Sequence, residues 1–201
     1  MTTAQAKKSE DKRLFILNSS INLVLRKGFV GVGLQEIVKN CSIPKGSFYY
    51  YFESKEAFGC ALLDHYICDY QDRLNVLWNN NKTAKDKILS YFSAWIHDDA
   101  MSGGWAQNCL IVKLAAEVSD LSEDMRLIID QGVKRLIARI AQLIEEGIQE
   151  GSIVIDTDAD AFAELIYQMW LGAALLYKLQ QDKSPLYHAL HSTQLMLDRN
   201  N

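Results

Sequence analysis

The chain has 201 residues, 49% of them apolar, with a net charge of −4, a composition that suits a soluble globular protein of one or two domains. The opening MTTAQAKKSEDKR is polar and no apolar run reaches the about 18 residues of a membrane span, so the expectation is no signal peptide, no transmembrane helix and a cytoplasmic location. The net charge hides an asymmetry: residues 1–55 hold nine Lys/Arg against four Asp/Glu, and the remainder 12 against 21. That pattern points to a polyanion meeting only the first quarter of the chain.

Two prolines, Pro44 and Pro185, and few alternating β-branched runs predict an all-α fold of about nine helices. The first is expected from about Asp11 to Lys27, with Leu14, Leu17, Ile21, Val24 and Leu25 as its apolar stripe, Gly28 ending it and Phe29 packing back. A short helix from Leu34 to about Cys41 buries Leu34, Ile37, Val38 and Cys41; Ser42-Ile43 makes a turn, and Pro44 opens a third helix, Lys45 to Tyr50. Two short helices joined tightly and braced by a longer one form a helix-turn-helix unit. Ser54 is the expected N-cap of a long helix from Lys55 to about Trp78. Further helices are expected at about 84–100, 105–118, 122–150, 158–182 and 185–198, giving a DNA-reading domain over 1–54 and a helical body over 55–201.

Phe48 and Phe52 lie four apart and face the core, which turns Lys45, Ser47, Tyr49 and Tyr50 outward. Lys45 can reach phosphate or a guanine edge, Gly46 allows close approach to the major groove, and Ser47 can bond a base or phosphate. Tyr49, Tyr50 and Tyr51 offer hydroxyls to phosphates, and Lys55 stands at a helix N-terminus that also favours a phosphate. The segment GLQEIVKNCSIPKGSFYYYFESKEAF, Gly33 to Phe58, resembles the DNA-binding signature of the TetR family of repressors, and the resemblance gives these positions the same roles. Gly33 departs from the family pattern, in which Ser or Thr usually caps the second helix. The resemblance further implies a C-terminal body that senses a small molecule and dimerises through its last two helices. The apolar residues available there are Phe162, Leu165, Ile166, Met169, Leu175, Leu176 and Leu179, with Leu186, Leu190 and Leu197. The expected partners are inverted-repeat operator DNA and a second copy of the chain.

The stretch Asn108-Cys109-Leu110-Ile111-Val112-Lys113-Leu114, with Glu117-Val118 and Asp120 to Arg126, is similar to the electrophile- and hypochlorite-sensing branch of that family, the N-ethylmaleimide reductase repressors. The similarity implies that Cys109 is the sensor and that Lys178 can form a sulfur–nitrogen bond with it. Independently, Cys109 follows Gly103-Gly104 near a helix start, where the dipole favours thiolate, and Lys113 stands one turn on. The four cysteines, Cys41, Cys60, Cys68 and Cys109, lie far apart without a CxxC and read as free thiols. Cys60, Asp64 and Cys68 with neighbouring His65 make an incomplete ligand set, so neither metal nor cofactor is expected. A noncovalent inducer is the alternative, in a candidate pocket lined by Tyr91, Trp95, Trp105, Tyr167 and Trp170. A thiol enzyme using Cys109 lacks a motif-placed histidine or acid, so the chain reads as no enzyme. A helical adaptor that binds only protein is a further alternative, and it predicts no salt-dependent DNA affinity.

Overall fold

A computed structural model of the chain describes residues 3–198. Among them are ten helices: α1 Thr3–Lys27, α2 Leu34–Asn40, α3 Lys45–Tyr51, α4 Lys55–Trp78, α5 Ala84–Ile96, α6 Gly104–Gln107, α7 Leu110–Leu121, α8 Glu123–Glu150, α9 Ala159–Gln180 and α10 Ser184–Leu197. The all-α class holds, and the count rises because the helix expected over 105–118 is broken at Asn108–Cys109 into α6 and α7. Asn108 breaks it by turning its side-chain amide back onto the carbonyls of Ser102 and Gly104, both at 2.9 Å, a local bond that competes with helix continuation. Helix α1 starts well before Asp11, since the polar opening holds no breaker and is rich in Ala, Gln, Lys and Glu.

Contacts divide the chain into two compact units. The first takes the chain up to Asp69 together with Lys113–Asp130; the second takes Tyr70–Val112 and the chain from Gln131 onward. The first unit is built on Leu17, Val24, Ile37, Phe48, Phe58 and Leu62, all fully buried. Its α1 stripe is rotated from the expected one: Ile16, Ser20 and Leu23 are buried, while Leu14, Ile21 and Leu25 lie at the edge. Ser20 joins the core without an orphaned hydroxyl by donating to the Ile16 carbonyl at 2.7 Å.

The α2–α3 turn is a complete helix-terminating motif. Ser42 adopts φ 52°, its N–H donates to the Lys39 carbonyl (3.1 Å), and the Ile43 N–H donates to that of Val38 (3.0 Å). These two bonds close α2 with a residue in the left-handed region and aim the chain into Pro44, whose fixed φ starts α3.

The second unit is centred on aromatic rings. Phe92 stacks on Trp170 with centroids 4.5 Å apart, and Trp95 meets Trp170 edge-on at 5.9 Å. Polar ring atoms are paired inside the unit: Trp170 Nε1 donates to Thr193 Oγ1 (3.0 Å), Trp95 Nε1 to Tyr70 Oη (3.2 Å), and the Tyr70 and Tyr91 hydroxyls lie 2.8 Å apart. This is how a core accepts Tyr and Trp without unsatisfied groups.

Candidate nucleic-acid interface and thiol site

Helix α3 is seven residues long and divides its faces as four-residue spacing requires. Phe48 is fully buried and packs on Phe52 and Phe58, with centroids 5.3 and 5.5 Å away. Lys45, Gly46, Tyr49 and Tyr50 are exposed, and Ser47 and Tyr51 half-buried. The Lys45 ammonium lies 6.0 Å from the Tyr49 ring centre, and the Tyr50 and Tyr51 rings meet edge to face at 4.9 Å. One cation and two phenols are thus exposed on α3, with one hydroxyl and a third phenol half-buried, and there is no Cβ at Gly46 to hold a partner away. At Gly46 a Cβ would meet open space. Gly33 caps α2 without a side-chain bond, as its missing hydroxyl dictates.

Lys55 behaves differently from the rest of this set. Ser54 caps α4 through the Ala57 N–H (2.9 Å) as expected, but the Lys55 ammonium is folded over the Phe29 ring, 4.7 Å from its centre, and donates to the Val30 carbonyl at 3.4 Å. Burial there lowers the Lys55 pKa, and the Glu117 carboxylate opposes the shift.

Glu117 was not singled out by sequence. Its carboxylate, on α7, accepts the backbone N–H of Phe29 at 3.2 Å and that of Val30. Backbone groups 88 and 87 residues earlier leave no local signal for such a partner.

In the second unit, Cys109 is 2% exposed and immediately precedes α7, its sulfur accepting the Val112 N–H at 3.5 Å. The sulfur therefore caps the helix, closer to the positive end than an uninterrupted 105–118 helix would place it. Burial, with Tyr70 beside it, holds Tyr91 well above the usual phenol pKa, and burial with Tyr91 does the same for Tyr167; Cys109 adds to both shifts. Lys178, half-buried on α9, donates to the Gln107 carbonyl at 2.9 Å, and neighbouring Tyr177 donates to the Gln107 side chain at 2.8 Å. The structure brings Lys178 to the turn just before Cys109.

The five expected pocket residues, Tyr91, Trp95, Trp105, Tyr167 and Trp170, are all buried and pack against one another. Trp105 Nε1 donates to Asp98 Oδ2 at 2.7 Å, and the Arg73 guanidinium covers the Trp105 ring at 5.1 Å. These rings make up the centre of the second unit's core.

The other cysteines occupy three different settings. Cys41 is buried with its pKa raised by desolvation, and its sulfur faces Ser20 Oγ at 3.8 Å. Cys60 is half-buried and its pKa is raised by burial and by Asp124 and Glu56; Cys68 is exposed. His65 bonds Asn18 Oδ1 at 2.7 Å. Among the described residues no group of three His, Cys, Asp or Glu is arranged to hold a metal, and no helix is long and apolar enough to cross a membrane.

Residues 16–58 match the family of bacterial regulatory proteins described as tetR, and residues 84–193 match the tetracyclin repressor-like C-terminal domain. The chain belongs to the TetR family. It is 39% identical over 181 residues to the HTH-type transcriptional repressor NemR of Escherichia coli K12, covering 90% of both chains. It is 31% identical over 175 residues to the repressor DhaR of Mycobacterium sp. strain GP1, covering 87% of this chain and 86% of that one. The crystal structure of reduced E. coli NemR superposes with a TM-score of 0.86 at 38% identity, over 94% of this chain and 98% of that one. A TetR/AcrR family member of known crystal structure reaches 61% identity and a TM-score of 0.85, over 94% and 100%. The chain is a TetR-family transcriptional repressor similar to NemR, and its relatives are DNA-binding regulators, not enzymes.

Proposed function

We propose that this repressor binds an inverted-repeat operator as a homodimer and leaves it when a reactive electrophile or oxidant modifies Cys109. The observation that carries the reading is the setting of that sulfur, which is buried, caps α7, and follows by two residues the carbonyl held by Lys178. Charge gathering on sulfur as it attacks an electrophile falls at the positive end of a twelve-residue helix. A new group there must be fitted into a packed interior, because Cys109 is buried, and packed interiors change by switching arrangement, not by stretching. Oxidation opens a second route: a sulfenic acid at Cys109 and the neutral Lys178 amine condense to a sulfur–nitrogen bond with loss of water. That route requires Lys178 to release Gln107. A relative whose crystal structure is specified as the reduced form supports a redox-sensitive reading.

The reader residues are Lys45, Gly46, Ser47, Tyr49, Tyr50 and Tyr51; Lys55, the seventh residue of the expected set, is instead folded over Phe29. The dimer reading rests on α9 and α10. Phe162, Ile166, Leu186 and Leu197 are used within the protomer, whereas Leu165, Leu175, Leu176, Leu179, Tyr187 and Leu195 remain exposed. An open groove between the two helices, lined by Met169, Gly172, Leu176, Pro185 and His188, continues that apolar surface.

The test uses a duplex selected on the immobilised wild-type protein from a random pool. N-ethylmaleimide or hypochlorite should release wild type, and Cys109→Ser should bind equally well but stay bound, while the Cys41/Cys60/Cys68 triple serine variant still responds. Nearly complete release takes a shift of about 5.5 kcal/mol between the two states. If Cys109→Ser releases the duplex as readily as wild type, a noncovalent inducer becomes the reading.

A further inference from the structure

Val30 is 60% exposed, yet both of its backbone polar groups have side-chain partners: its N–H donates to Glu117 and its carbonyl accepts from Lys55. The neighbouring residues are held by the same pair. Phe29 gives its N–H to Glu117 and lies with its ring under the Lys55 ammonium. That ring fits so closely on α4 that a Cβ at Gly59 would come within 2.6 Å of it. At Gly28, φ is +77° and a Cβ would sit 2.7 Å from a Glu117 carboxylate oxygen, so the carboxylate fills the space that the glycine leaves. The turn that joins α1 to α2 is therefore gripped from the first residue of α4 and from α7 at once.

An ammonium in this position gives up a ring face and a carbonyl, and moves away from a carboxylate, whenever it swings out to solvent. Lys45, by contrast, is exposed and touches only the Tyr49 ring among the contacts described. The two lysines flanking the aromatic run thus stand in opposite situations.

We propose that Lys55 and Glu117 are a pair of positioning residues for operator binding: they clamp the Gly28–Val30 turn and so fix how α1 and α2 present α3, and Lys55 makes no phosphate contact. The inference depends on DNA binding by α3 and is independent of the role of Cys109. It predicts that the pair acts as one unit, and that removing Lys55 leaves the electrostatic footprint on DNA unchanged. A phosphate-binding lysine instead carries about 0.9 of a unit in the slope of log affinity against log salt.

The experiment measures binding of the wild-type dimer, Lys55→Met, Glu117→Gln and the double variant to the selected duplex and to a scrambled duplex across a salt series. Lys55→Met keeps the apolar stem over Phe29, and Glu117→Gln keeps one acceptor. Each single variant should weaken the selected duplex about tenfold, the loss of one charged hydrogen bond, and leave the scrambled duplex and the salt slope as in wild type. The double variant should be no weaker than either single one. In 15N-labelled protein, Glu117→Gln should shift the Phe29 and Val30 amide resonances and speed their exchange. Lys55→Gln and Glu117→Ala repeat the measurement should either first-choice variant melt early. A salt slope reduced by about one phosphate contact in Lys55→Met, multiplying losses in the double variant, or wild-type affinity in both single variants overturns the proposal.

Discussion

Helices α3 and α9 both turn large side chains outward, and the chemistry of those side chains separates two kinds of partner. On α3, Tyr50 is 63% exposed, and Lys45 and Tyr49 lie beside it on the outward face. On α9, Leu179 is 78% exposed and Leu175 and Leu165 lie open nearby, aliphatic to their tips. A phenol offers a hydroxyl to a hydrated phosphate, whereas a leucine gains only by leaving water. Under the proposed function, exposure of both helices corresponds to a wet, anionic partner in one place and a dry one in the other. In the proposed assembly the two are linked, because two copies joined through α9 and α10 present two α3 helices to two half-sites.

The comparison breaks most sharply at α9. Leu175→Glu should convert the dimer to monomer in sedimentation velocity and lower operator affinity by more than about a hundredfold, because paired half-site binding is lost. A variant that stays dimeric and fully active would assign the exposed leucines to some other partner. At α3 the effect is smaller and different in kind. Lys45→Ala should cost about 1–3 kcal/mol of operator binding and reduce the salt slope by about 0.9, with sedimentation unchanged. Gly46→Ala sharpens the comparison further, because fold and function should move in opposite directions. The space around Gly46 is open, so alanine should stabilise the chain by about 0.5–1 kcal/mol in thermal melts while weakening the duplex by less than Lys45→Ala does. The smallest effect is expected at Gly33→Ser, where an added cap should raise stability by a few tenths of a kcal/mol and slightly tighten operator binding. Looser binding there would show that α2 does not face the phosphates.

Most of the architecture was legible because it rests on local signals. Gly28, Pro44 and Ser54 are where the sequence places them, at the ends and starts of helices, and Phe48 and Phe52 reach the core by their spacing alone. What escaped depended on partners distant in sequence or on single side chains turning back. Asn108 broke an expected helix through bonds to two carbonyls. Helix α9 ends at Gln180, and Gln181 takes φ 55° without a glycine to announce it. Of the candidate site, the outward set on α3 was legible from helical phase. Glu117 was not, because a carboxylate that binds the backbone of a distant turn resembles any surface acid in the sequence. The aromatic residues named as a candidate pocket are buried and packed ring against ring, an arrangement that depends on partners far apart in sequence.

The turn before Cys109 constrains variation more tightly than the cysteine does. Gly104 has φ +75°, and a Cβ there would stand 2.5 Å from the Trp95 carbonyl oxygen and 2.8 Å from the Ile96 carbonyl carbon, so a side chain is refused by both conformation and main chain. A serine at 109, in contrast, can accept the same Val112 N–H that the sulfur accepts. Under the thiol-switch reading, a lineage can therefore lose chemical responsiveness through one nucleotide change and keep a folded, operator-binding protein. Such a variant would keep its operator silent even in the presence of the inducing chemical.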